Sequence, residues 1–130
     1  MRRFVGRWLP VLLWMGLIFV FSAQPSLPSV PGRWDVLLKK TMHALAYGVL
    51  AGLIVRALRG YWSDDGLIRL VSIGLALAYA LSDEYHQTFV PGRDGNLIDV
   101  AADAVGMAGA MVLDRRWWEE RRRGAGQASG

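Results

Sequence analysis

The sequence predicts an all-α, polytopic membrane protein with four transmembrane helices in two hairpins. Three observations predict it. The chain has 130 residues, of which 53% are hydrophobic and only 20% charged, too apolar for an ordinary water-soluble domain. Four stretches are apolar for nearly the roughly 20 residues a spanning helix needs. The basic residues, finally, divide unevenly between the connections. With no cysteine, the chain offers no disulfide, no thiolate metal ligand and no cysteine nucleophile.

The first apolar stretch, residues 8–21, follows Arg2, Arg3 and Arg7, and Pro10 near its start is expected where a helix tolerates proline best. Its ending, Phe21-Ser22-Ala23, also admits a cleaved signal peptide as the rival reading. Residues 24–31 carry three prolines and end the helix. The second stretch, residues 42–55, leads to a short polar turn at 60–66, and the third, 67–81, leads to a connection broken by Pro91, Gly92 and Gly95. The fourth is 97–113. Gly48 and Gly52 on the second stretch, and Gly106 and Gly109 among alanines on the fourth, are expected to let helices approach closely. Residues 1–120 are thus read as one transmembrane domain, and 121–130, rich in Arg, Gly and Ala, as a disordered cytoplasmic tail.

Lys and Arg set the orientation, because positively charged loops stay in the cytoplasm. Of the 15, Arg2, Arg3, Arg7, Arg56, Arg59, Arg69, Arg115, Arg116, Arg121, Arg122 and Arg123 fall on one side, and Arg33, Lys39, Lys40 and Arg93 on the other. Both termini are expected in the cytoplasm and the protein in the plasma membrane. The formal charge of +4 is then explained by topology, and no nucleic-acid partner is expected.

Polar residues gather at the outer ends of the spans. Gln24 follows the first; Lys40, His43 and Tyr47, spaced three and four apart, form one stripe opening the second. Asp83, Glu84, His86 and Gln87 close the third, and Arg93, Asp99 and Asp103 follow. Lys40 could simply snorkel and Tyr47 could be an interfacial anchor. Carboxylates inside a spanning helix, however, are costly without a partner, and that makes Asp99 and Asp103 functional candidates.

These residues carry a family resemblance. Phe21-Ser22-Ala23-Gln24-Pro25, then Lys40-x-x-His43-x-x-x-Tyr47, then the run from Ser82-Asp83-Glu84-Tyr85-His86-Gln87 to Pro91-Gly92-Arg93, and Asp99 followed by Gly106, resemble the VanZ family in order along most of the chain. The third block is the specific one. The resemblance implies a small multi-spanning membrane protein and, through the family's founding member, a link to resistance against teicoplanin, a lipid-bearing glycopeptide. It supplies no reaction. The family usually has Asn where this chain has Asp103, a departure that adds a charge inside the membrane.

The leading functional expectation is an outward-facing polar pocket, formed by Gln24, Lys40, His43, Tyr47, Asp83, Glu84, His86, Gln87, Arg93, Asp99 and Asp103, that binds a cell-envelope lipid or lipoglycopeptide. Arg93 could grip an anionic group with two hydrogen bonds, and the carboxylates could take a cationic part. An alternative is a membrane-embedded enzyme acting on envelope lipid or glycan, with His43 or His86 as base and Asp83, Glu84 or Asp99 orienting it. A second alternative is a proton-coupled transporter using Asp99 and Asp103. The two histidines and several carboxylates could also bind zinc or another divalent ion in a metal version of the enzyme. The signal for it is weak: no HExxH, nucleophile elbow or phosphate-cradling glycine loop is present, and neither cofactor nor metal is expected. The partners expected are membrane lipid, a lipid-linked ligand and, in a homo-oligomer, further copies of the chain.

Overall fold

Each apolar stretch lies within a longer helix in the computed structural model, which describes residues 1–23, 33–91 and 95–130. Helix α1 spans Arg2–Ser22, α2 Arg33–Leu58, α3 Asp65–Gln87 and α4 Leu97–Ala128. Two of the starts are capped as their sequences suggest: the Asp64 carboxylate accepts the Leu67 N–H at 3.0 Å to open α3, and the Asn96 side chain accepts the Ile98 N–H at 2.9 Å to open α4. Helix α1 continues past Pro10, which lies eight residues beyond its first residue rather than in the first turn where it was expected.

Contacts at both ends fix an up-down-up-down arrangement. At one end Ser22 of α1 reaches Asp83 of α3; midway the Trp14 indole donates to the Ala46 carbonyl; at the other end Arg7 lies over the Tyr61 ring. Helix α2 runs through the core, where Tyr47, Leu50, Ala51, Ile54 and Val55 pack with Ile68, Ala76 and Ala80 of α3 and Met107 and Met111 of α4. Helix α1 buries only Val11, Ile18 and Ser22, while Leu9, Leu12, Leu13, Leu17 and Val20 face outward. An apolar exterior of this kind is what lipid, rather than water, would solvate.

By length and composition α1, Leu37–Leu58 of α2, and α3 are each able to cross a membrane. The expectation of four such helices is met by three, because Asp99, Asp103 and Asp114 interrupt the apolar character of α4. The most extensive pairing is nonetheless between α2 and α4. Its tightest point is a glycine crossing: a methyl built on Gly106 would run into the Ala44 carbonyl, and one built on Gly48 would lie 2.9 Å from the Gly106 carbonyl oxygen. Gly52 and Gly109 have open space at the corresponding position, so the packing role expected of four glycines belongs to two.

The segment expected to be a disordered tail is instead helical to Ala128, with every residue from Arg121 onward exposed. One charge pair within α4 and one to α3 support the continuation. Arg115 and Glu119 are bonded one turn apart at 2.9 Å, and Arg122 reaches Asp65 of α3 at 2.9 Å.

Candidate functional site

The ends of α1 and α3 and the first halves of α2 and α4 meet at one end of the bundle. Helical spacing sets α3 so that Asp83, Glu84 and Gln87 are all buried on its inner face. Asp83, 5% exposed, accepts hydrogen bonds at one carboxylate oxygen from the Ser22 hydroxyl at 2.8 Å and the Tyr47 hydroxyl at 2.9 Å. The Gln87 amide donates to the Ser22 oxygen at 3.4 Å. Two hydroxyl donors on one buried carboxylate tie three helices together and leave Asp83 well satisfied. Tyr47, fully buried, is part of this network and not an interfacial anchor.

A second group lies beside the first. His43 Nδ1 stands 3.8 Å from Asp103 Oδ1, and one ligand-capable atom from each of His43, Glu84 and Asp103 falls within 4.8 Å of the others. Asp103 is 1% exposed, and neither of its oxygens has a hydrogen-bond donor among the described residues. Glu84 is held from outside the group, since its Oε2 accepts the backbone N–H of Asn96 at 2.9 Å, at the residue that caps α4. Toward the rim, Lys40 Nζ and Asp99 Oδ1 approach to 4.0 Å, both partly exposed. The result is graded, from an accessible Lys40–Asp99 rim to a buried floor of Asp83, Glu84 and Asp103.

His86 is placed differently. Its ring packs against Phe19 of α1 with centroids 4.8 Å apart, while His43 lies near Asp103 and stacks over Tyr47. The structure therefore brings together Lys40, His43, Tyr47, Asp83, Glu84, Gln87, Asp99 and Asp103, and sets His86 against α1. Gln24 and Arg93 lie outside the described residues.

Residues 7–115 match the sequence profile of the VanZ/LLP1 family, most of the chain. The chain belongs to that family. The match contains α3, all but the first residues of α1 and the whole polar end, so the clustered residues are part of the VanZ/LLP1 unit rather than of an appended segment. No curated protein sequence and no solved structure matches the chain.

The opposite end of this VanZ/LLP1 protein holds a cluster that charge counting did not reveal. Arg59 grips Asp114 with two hydrogen bonds of 2.6 Å each, Arg69 adds a third at 3.1 Å, and Asp65 takes bonds from Arg59 at 3.2 Å and Arg122 at 2.9 Å. Burial pushes the Asp114 carboxyl up, but the hydrogen bonds from Arg59 and Arg69 outweigh it and hold the group below the usual carboxylate range. The Arg59 guanidinium also lies 4.6 Å from the centre of the Trp118 ring. The sequence presented these arginines only as topology signals, because their acceptors are distant in the chain.

Proposed function

We propose that this protein spans the plasma membrane four times with both termini in the cytoplasm, and that its outward polar end binds a lipid-linked cell-envelope ligand of the lipoglycopeptide kind. The observation that carries the reading is the graded cluster. Among the described residues it sets four carboxylates, Asp83, Glu84, Asp99 and Asp103, against Lys40 and His43. Such a balance favours a cationic group of the ligand beside Asp99 at the rim and an anionic neighbour at Lys40. In this reading α4 crosses as well, its Asp99 and Asp103 shielded from lipid by α2 and α3, and the apolar flank beside the rim accommodates the ligand's chain.

The test is saturable binding of teicoplanin to the protein in nanodiscs, with a glycopeptide lacking the lipid chain as comparison. Binding of teicoplanin, and at least a several-fold weakening by Lys40→Ala and by Asp99→Asn, is expected. Binding no tighter than to nanodiscs without protein would refute the reading.

A further inference from the structure

We propose that His43, Glu84 and Asp103 form a site for a divalent transition-metal ion of the zinc class, held between α2, α3 and α4. The inference deepens the reading above and rests on it only in placing the cluster toward an accessible end of the bundle. The donor set is one imidazole and two carboxylates, a combination that suits zinc and its neighbours better than a hard cation wanting oxygen alone.

Three features point to an ion rather than to a packed ion pair. The first is Asp103: a carboxylate inside a helical bundle, 1% exposed, with both oxygens lacking a donor among the described residues, is expensive unless something positive meets it. Asp83, on the neighbouring helix α3, shows how this fold satisfies a buried carboxylate when hydrogen bonding is the purpose.

The second is spacing. His43 and Asp103 at 3.8 Å are too far apart for a hydrogen bond. Two donors each about 2.0–2.1 Å from a tetrahedral ion stand roughly 3.3–3.4 Å apart, so the observed gap closes onto an ion with a small side-chain adjustment.

The third is orientation. The Asn96 N–H fixes Glu84 from behind, the kind of outer support that aims a ligating carboxylate. Three protein donors leave at least one coordination position for water or a ligand atom. A divalent ion would also offset the two negative charges its carboxylate ligands bring to the floor.

The experiment uses the full chain in detergent, stripped with chelator, reloaded with Zn²⁺ or Co²⁺, desalted and analysed for metal by mass spectrometry, with the visible spectrum of the Co²⁺ form recorded. One ion per chain is expected, with Co²⁺ bands that change on His43→Gln. Asp103→Asn should weaken Zn²⁺ binding roughly tenfold or more, whereas Glu119→Gln, exposed beyond the opposite end of the bundle, should bind as the parent does. Gel filtration reports folding; if Asp103→Asn does not fold, His43→Gln near the rim carries the same test. A parent chain that retains no stoichiometric metal, or a His43→Gln variant that binds Zn²⁺ as tightly as the parent, overturns the site. Teicoplanin binding measured with and without chelator separates the two readings, since an ion held without any glycopeptide binding leaves the metal site standing and removes the ligand.

Discussion

Asp83 carries two hydroxyl donors on one buried oxygen, and the consequences of removing them differ from those of removing a surface bond. Tyr47→Phe keeps the ring and deletes one donor, so the carboxylate still has Ser22. A cost of about 1 kcal/mol is expected, near the usual worth of a hydrogen bond in a bundle of this kind. Ser22→Ala added to Tyr47→Phe strips both donors and should cost more than the two single changes summed, because only then is the carboxylate abandoned. Thermal unfolding of the four proteins in one detergent measures this, and strict additivity would mean that the network is not cooperative. Sequence spacing marked the stripe Lys40, His43, Tyr47 and placed Asp83 among the polar residues at the end of the third span. It did not foresee that His86 would turn to Phe19 while Glu84 turned inward, since spacing names a face of α3 but not the neighbour that each edge of the face meets.

Helix pairing turns on backbone proximity. Gly106→Ala is expected to destabilise by about 2 kcal/mol or more, as the added methyl must push α4 off the Ala44 carbonyl. Gly109→Ala, one turn on and opposite open space, should be neutral or slightly stabilising, since alanine favours helix over glycine. Thermal unfolding of the two variants distinguishes this from a general intolerance of α4 to substitution. All four helices were legible as apolar runs, but their lengths were not. The run 97–113 ends where charges begin, and the helix does not, because pairs such as Arg115 with Glu119 sustain it past the apolar stretch. Small residues at three- and four-residue spacing likewise marked Gly48, Gly52, Gly106 and Gly109 alike, and only three-dimensional crossing selects Gly48 and Gly106 among them.

At the level of the whole molecule, the two ends of the bundle are electrostatically unlike. The Arg59, Arg69 and Asp114 cluster joins the region after α2 and the start of α3 to the middle of α4, and its carboxyl is held below its ordinary value. A folded-state value below the unfolded one contributes stability that is fully present above the unfolded value, near 3.9, and is lost as the pH falls through the folded one. Asp114→Asn should therefore melt lower than the parent at pH 7, with the difference shrinking below about pH 4. A difference independent of pH would assign the effect to packing. The charge division also predicts sidedness: single cysteines replacing Ser29 and Ser129 of this cysteine-free chain should react with an impermeant reagent in intact cells at position 29 only. Reaction at Ser129 alone would invert the protein.

The glycine crossing has a consequence for chemistry as well as for packing. Ala44 follows His43 directly, and Gly106 lies one turn past Asp103, so the point where α2 and α4 touch backbone to backbone is the datum from which the depths of both side chains are measured. Slippage of one helix by a single turn would displace His43 from Asp103 by about 5.4 Å, more than their present separation. A bulky residue at either glycine should then blind the polar end without touching any group in it, and a variant retaining full abundance but no binding would mark a calibration error between helices.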